Sequence, residues 1–210
     1  MILHGYWRSG AAYRVRIALN LKGLRYAQQG VDLRTGAHKS AAFAVLNPQG
    51  MVPALEVDGA VLAQSPAILE WLEETHPSPA LLPPDPLDRA RVRAMAAVIG
   101  CDIHPLNNLR VGKALRETFG ADQAAIDAWA ARWIIPGFTA LEALVAQHGH
   151  GWCFGAAPTL ADCYLIPQIY SARRFNVPLD AFPRLLAIDE AAKQQLAFAA
   201  AHPDVQPDAD

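Results

Sequence analysis

Ser9 stands at a junction where a hydroxyl can do chemistry. It follows the apolar run 2–6 inside the turn Arg8-Ser9-Gly10, and precedes an apolar pattern at helical spacing: Val15, Ile17, Ala18, Leu19 and Leu21. At a helix start, backbone N–H groups and the helix dipole favour an anion. A thiol bound there has its pKa lowered, and the serine hydroxyl can donate to the sulfur. The plainer role for such a serine is to cap the helix. Gln64-Ser65 opens a second helix, with Ser65 expected as N-cap and Pro66 at the first helical position. That end suits a carboxylate, and capping alone is again the plainer role. Tyr6 is a rival hydroxyl at the end of the first run, although half-buried packing explains most such tyrosines. His104 and Asn108 are four apart, so one helix face should carry both, with local distortion at Pro105. Such polar residues in an apolar helix also satisfy one another or the backbone. Arg8, Arg110, Arg173 and Arg174 offer guanidinium forks that match carboxylates bidentately. Most arginines are simply solvated, so two or three of the four are expected in a site.

Composition bounds what these residues can belong to. Of 210 residues, 52% are apolar and 18% charged, with a net charge of −2. That balance describes a packed globular chain with no basic stripe for nucleic acid. Apolar stretches are broken by Gly, Pro or charge well short of the roughly 18 residues a membrane span needs. The first residues, MILHGYWRSG, lack the pattern of a signal peptide. Cys101, Cys153 and Cys163 form no CxxC and make a poor disulfide framework, so a cytoplasmic, reducing setting is expected. The seven histidines are scattered without ligand spacing, so no metal is expected. No phosphate-loop or dinucleotide fingerprint is present.

The elements that must position these groups can be read along the chain. A strand over 2–6, the helix after Ser9 and a second strand over 26–33 form a β-α-β opening, whose crossover should be right-handed. After the turn Asn47-Pro48-Gln49-Gly50, a strand over 51–57 pairs with 60–63 through Asp58-Gly59, a strong hairpin signal. Ile68, Leu69 and Leu72 give the following helix its buried face. Pro77, Pro79, Pro83, Pro84 and Pro86 then separate this α/β unit from an Ala- and Leu-rich remainder with helical periods only. Within that remainder, Thr159 and Asp162 form a capping-box pattern at a helix start. The expected domains are 1–83, α/β, and 87–210, all-α.

The order of elements, together with Val52-Pro53-Ala54-Leu55, Gln64-Ser65 and the box at Thr159–Asp162, resembles the glutathione-transferase fold over essentially the whole chain. That fold is a thioredoxin-like domain followed by a helical bundle. The run Trp7-Arg8-Ser9-Gly10-Ala11-Ala12-Tyr13-Arg14-Val15-Arg16-Ile17-Ala18-Leu19 is similar to the first turn and helix of the zeta class. This class includes maleylacetoacetate isomerase and the bacterial maleylpyruvate isomerases. Leu46-Asn47-Pro48-Gln49, Gln64-Ser65-Pro66-Ala67-Ile68 and Asp102-Ile103-His104-Pro105-Leu106-Asn107-Asn108 extend the match. The maleylacetoacetate isomerase pattern has Ser-Ser-Cys where this chain has Ser9-Gly10-Ala11. Absence of the cysteine looks more like the maleylpyruvate branch.

The resemblance implies glutathione as cofactor, bound by Ser9, Gly10, Ala11, His38, Val52, Gln64, Ser65, His104 and Asn108. Val52-Pro53 resembles the cis-proline strand end that pairs its backbone with the cysteinyl part of the tripeptide. Arg8, Asn108, Arg110, Arg173 and Arg174 are implied for a dicarboxylate substrate, with Ser9, Arg8 and Arg110 in catalytic roles. Leu109 stands where the maleylpyruvate branch can carry a further arginine. The implied reaction is cis–trans isomerisation of a maleyl keto acid in aromatic-compound catabolism. It proceeds by addition of a thiolate to the cis double bond, rotation, and expulsion of the thiolate. A homodimer is implied, with neither nucleic acid nor membrane as partner. The alternatives are a detoxifying transferase or dehalogenase using the same thiolate, and a non-catalytic binding module.

Overall fold

The computed structural model describes residues 1–209, which form two compact units. The first comprises Met1–Leu81 and residues 193–209; the second is Leu82–Ala192.

In the first unit, β1 (Ile2–Gly5) pairs in parallel with β2 (Ala27–Gly30), and α1 (Gly10–Leu21) is the crossover between them. β3 (Ala54–Val57) runs antiparallel to β1, and β4 (Ala60–Ala63) closes the order β2-β1-β3-β4. Asp58 and Gly59 both adopt left-handed backbone, φ 49° and 80°. A two-residue turn with positive φ at both positions matches the twist of the strands it joins, as the Asp-Gly pair led one to expect. β2 and β3 are shorter than the expected 26–33 and 51–57. Val31 N–H still donates to the Gly5 carbonyl, but Asp32–Arg34 turns away, and β3 begins only after a cis Val52-Pro53 bond. α2 (Ala41–Leu46) lies in the link, and α3 (Ser65–Thr75) follows β4.

α1 is buried continuously from Ala12 to Leu19, not on one face only. A Cβ on Gly5 would come within 3.1 Å of the Ala12 Cβ, so β1 and α1 are in direct contact on one side. The continuous burial encloses Arg14 and Arg16, which must find acceptors inside. Arg16 Nε donates to the Ala201 carbonyl at 2.9 Å, and Asn20 donates to that of Ala197 at 2.9 Å. These bonds fasten residues 193–209, including α10 (Leu196–Ala199), onto the first unit. The span 87–210 expected from composition therefore extends too far. An Ala-rich segment can pack on either unit, and the polar side chains of α1 decide which.

The second unit is all-helical, as expected: α4 (Pro86–Ala97), α5 (His104–Asn107), α6 (Leu109–Phe119), α7 (Gln123–His148), α8 (Leu160–Arg174) and α9 (Pro183–Lys193). α8 is its buried axis, with Leu160 through Ile169 all buried. A π-helical turn, Val98–Ile103, joins α4 to α5. Asn108 then leaves helical geometry at ψ 168°. His104 and Asn108 thus do not share one helix face. Asn108 instead caps α6, accepting from Val111 N–H at 3.3 Å, while its amide donates to the Pro105 carbonyl at 3.0 Å.

Candidate functional site

Strand register gathers the first-unit residues. His4 pairs with Ala54, Ala54 with Ala63, and Gly5 with Gly30. The carboxyl ends of β1, β2 and β4 and the amino end of β3 therefore lie at one end of the sheet. From it emerge the turn carrying Arg8 and Ser9, the Val52-Pro53 step, the Gln64-Ser65 step and the loop carrying His38. In open α/β sheets, ligands sit outside the carboxyl ends of the strands.

Ser9 is the N-cap of α1. Its Oγ accepts from Ala12 N–H at 3.2 Å. A serine hydroxyl has one proton and two lone pairs. Capping occupies a lone pair and leaves the proton to donate to an anion in front of the helix. The two roles read from the sequence are compatible in one side chain. Gly10 and Ala11 are the first residues of α1 and half-buried, so their backbone N–H groups belong to the same helix end.

The α3 start differs from expectation by one residue. Gln64, not Ser65, is the cap position, with φ 69° and no side-chain bond to the helix; Ser65 and Pro66 are the first helical residues. Left-handed backbone at a glutamine is strained and held only by its surroundings. The Gln64 amide donates to the Gln49 side-chain oxygen. Ser65 is buried, and its hydroxyl accepts from Arg14 Nη1 at 3.4 Å. A buried guanidinium thus stands behind a helix N-terminus that has no side-chain cap. This end of the sheet is a ready anion receptor.

Arg8 lies against the same turn. Its guanidinium carbon is 4.8 Å from the Trp7 ring centre and 5.9 Å from that of Tyr6, and Nη2 donates to the Tyr6 hydroxyl at 3.3 Å. Aromatic faces hold the cation without neutralising it. Arg8 Nε, Trp7 Nε1 and His38 Nδ1 are buried without a hydrogen-bond partner among the described residues. Burial, and secondarily the Lys39 charge, lowers the His38 pKa. Arg34 also approaches the Tyr6 ring, at 5.9 Å, and Asp32 grips it in a fork with contacts of 3.1 and 3.0 Å. Hydrogen bonding from Arg34 holds the Asp32 carboxyl below its usual range.

The remaining predicted residues belong to the second unit. His104 begins α5 and is half-buried; Arg110, in the first turn of α6, is exposed. Arg173 and Arg174 end α8 and are exposed. Arg173 donates to buried Asp189 at 2.6 Å, a structural commitment not foreseen in the sequence. Arg14 and Gln49, which bond to Ser65 and Gln64, were not among the expected residues. Two arginines spaced by two residues within an apolar helix, Arg14 and Arg16, were the available signal.

Residues 8–75 match the family described as glutathione S-transferase, N-terminal domain, and residues 123–188 match its C-terminal domain. A maleylpyruvate isomerase of Ralstonia is 55% identical over 211 residues, covering 99% of each chain. A holo structure of maleyl pyruvate isomerase, a bacterial glutathione S-transferase of the zeta class, superposes with a TM-score of 0.98 at 54% identity, covering both chains fully. A maleylacetoacetate isomerase from Methylobacterium extorquens, solved with bound malonate and glutathione, gives 0.95 at 40% identity, again over both full chains. The chain belongs to the glutathione S-transferase family, within its zeta-class group of maleylpyruvate and maleylacetoacetate isomerases.

Proposed function

We propose that this chain is a glutathione-dependent isomerase that converts a maleyl keto acid, maleylpyruvate or maleylacetoacetate, to its fumaryl isomer. The observation that carries the reading is Ser9. It is a capping serine with its proton free, at the sheet end where an uncapped helix start and an aromatic-held arginine also emerge. When bound, glutathione supplies a thiolate that adds to the cis double bond and is expelled after rotation. The residues present fit that group: Ser9 and the first N–H groups of α1 suit a sulfur anion, and Ser65 with Arg14 behind it suits the γ-glutamyl carboxylate. The backbone of Val52 next to the cis bond suits the peptide portion, and the unpartnered His38 Nδ1 suits a further polar contact. His104 and Asn108 serve the sulfur and substrate end, and Asn108 also keeps its capping role.

Arg8 grips one substrate carboxylate, and Arg110, with Arg174, serves the keto-acid end. Anchoring one end firmly leaves the other free to rotate. Arg173 is already paired with Asp189, so it contributes less. Leu109 is exposed and leaves the keto-acid end permissive. The first unit is the glutathione-binding domain and the second the substrate-binding domain.

We further assign a homodimer and a cytoplasmic setting. Exposed Val45 and Leu87 support the first, and the three free thiols support the second. No helix among the described residues is long and apolar enough to cross a membrane. Sedimentation of the purified chain tests the dimer.

The deciding assay supplies maleylpyruvate with substoichiometric glutathione. Complete conversion to the fumaryl isomer with free thiol unchanged is expected; stoichiometric loss of thiol overturns isomerisation in favour of conjugation. In the same assay, Arg8→Ala and Arg110→Ala should each lose about 10- to 100-fold in turnover, since a charge-assisted bond is worth about 1.5–3 kcal/mol. Glutathione affinity should stay close to the parent's. Lysine at either position should rescue only partly, because it keeps the charge and loses the fork. Parental rates in both alanine variants would sink the carboxylate clamp.

The glutathione end makes a separate prediction. Ser65→Ala and Gln64→Ala should weaken glutathione binding by about 1.5–3 kcal/mol each while leaving the chemical step almost intact, because uniform binding acts on affinity. Gln64→Gly separates backbone from side chain. It relieves the left-handed strain, so an affinity loss there equal to that of Gln64→Ala reports the amide alone. Titration calorimetry with glutathione checks all three. A normal dissociation constant in Ser65→Ala removes Ser65 from the site.

A further inference from the structure

The turn that carries Arg8 and Ser9 is held from a place distant in sequence. Ser9 N–H closes the turn on the Tyr6 carbonyl at 2.9 Å, so its remaining freedom lies in the Trp7 peptide. Both sides of that residue's backbone are tied. The Trp7 carbonyl accepts from Arg16 Nη2 at 2.9 Å, and the Trp7 N–H donates to Asp208 Oδ2 at 3.0 Å. Arg16 is in turn bonded to the Ala201 carbonyl. The second Asp208 oxygen accepts from Gln28 Nε2 on β2 at 2.9 Å. A Cβ on Gly30 would approach the Asp208 Cβ to 3.1 Å, so β2 makes room for this side chain where it passes. The Gln206 amide donates to the carbonyls of Ala200, 3.0 Å, and His202, 2.7 Å, which folds the segment into a compact strap.

We propose that Asp208 is a positioning residue for the reaction, fixing through the Trp7 peptide the orientation of Arg8 and Ser9. The inference rests on the isomerase reading given above. A carboxylate bonded to a backbone N–H is a strong, directional tether. The Trp7 ring is also the face on which Arg8 lies. Rotation of the Trp7 peptide therefore moves the arginine platform and the start of α1 together. Placement errors of this kind are costly: about 1 Å can reduce a rate about 100-fold. Gln64 and Ser65 sit on other strand ends and are untouched by such a rotation.

The test compares Asp208→Ala and Asp208→Asn in the full chain. Asp208→Ala is expected to lower maleylpyruvate turnover about tenfold or more and to raise the bound thiol pKa toward that of free glutathione. The dissociation constant for glutathione in its thiol form, measured below the bound thiol's pKa, should stay within about twofold, since the γ-glutamyl end is untouched. Asp208→Asn keeps one acceptor oxygen, for which Trp7 N–H and Gln28 compete, and should recover part but not all of the turnover. A structural role alone predicts the opposite pattern: a lower melting temperature with the thiol pKa and turnover per folded molecule unchanged. That result overturns the proposal. If the alanine variant does not fold, parental turnover and thiol pKa in Asp208→Asn overturn it equally. Hydrogen exchange at the Trp7 amide, faster in the alanine variant, reads the tether without glutathione or substrate. Parent protein that leaves both maleylpyruvate and maleylacetoacetate unchanged refutes the isomerase reading instead, and the Trp7 exchange rates still decide the tether.

Discussion

Ser9→Ala is expected to reduce turnover on a maleyl keto acid by about 100-fold, the scale on which a single preorganised donor to a developing or bound anion is worth in an enclosed site. The loss should appear together with a rise in the pKa of the glutathione thiol in the binary complex. The geometry separates this effect from simple destabilisation. Ser9 Oγ accepts from Ala12 N–H, so alanine also removes a helix cap, worth about 1 kcal/mol. That smaller loss lowers the melting temperature without touching the thiol. Ser9→Thr retains both hydroxyl functions and should recover the cap and most of the thiol shift. Tyr6 supplies the internal control. Its hydroxyl already accepts from Arg8 Nη2, so Tyr6→Phe should loosen the arginine and cost far less than Ser9→Ala. Ultraviolet titration of the bound thiolate and steady-state rates provide the measurement. A larger loss in Tyr6→Phe than in Ser9→Ala would transfer the thiolate-holding role to the tyrosine.

Asp162→Ala should be the most damaging substitution for stability. The Asp162 side chain is inaccessible, and its carboxylate accepts from Thr159 N–H at 2.7 Å, Thr159 Oγ1 at 2.8 Å and Cys153 N–H at 2.8 Å. Burial raises its pKa, and the hydrogen bonds from Cys153 and Thr159 oppose that rise. Alanine strands two buried backbone donors, each worth about 1–3 kcal/mol when left unmade. It also removes the Asp162 half of the capping box that opens α8, the axis of the second unit. The combined loss should reach about 3–5 kcal/mol, a large share of a typical domain's stability. A fall in melting temperature of roughly 10 °C or more is expected by calorimetry. Asp162→Asn keeps one acceptor and should fall between the two. A melting temperature within about 2 °C of the parent's would contradict this account, since it would mean the donors find other partners.

Much of this is legible in the sequence alone, because local chemistry depends on few neighbours. A strand followed by Arg8-Ser9-Gly10 and a helical period reports a helix start from within a dozen residues, and α1 begins at Gly10. Asp58-Gly59 reports its own hairpin, because the two residues best suited to positive φ stand together. The Thr159–Asp162 box works for the same reason: its donors and acceptor lie within three residues. The all-helical second unit followed from periodicity alone. One-residue matters were less secure. Ser65 has the better capping chemistry, yet Gln64 takes the cap position with left-handed backbone, directly after β4 ends at Ala63.

What only the tertiary structure decided are pairings between residues far apart in the chain. His104 and Asn108 have helical spacing, but the π turn before them and the break at Asn108 place them on different elements. Arg173 has a carboxylate waiting on α9, and Arg14 meets Ser65 across 51 residues. The Ala-rich segment after Lys193 carries no local sign of which unit it joins. Arg16 reaches 185 residues ahead to Ala201, and the Trp7 N–H reaches 201 residues ahead to Asp208. Periodicity can say that a helix buries a face, and composition that it encloses an arginine. Neither can say whose carbonyl will satisfy that arginine, since closing the chain on itself chooses the acceptor.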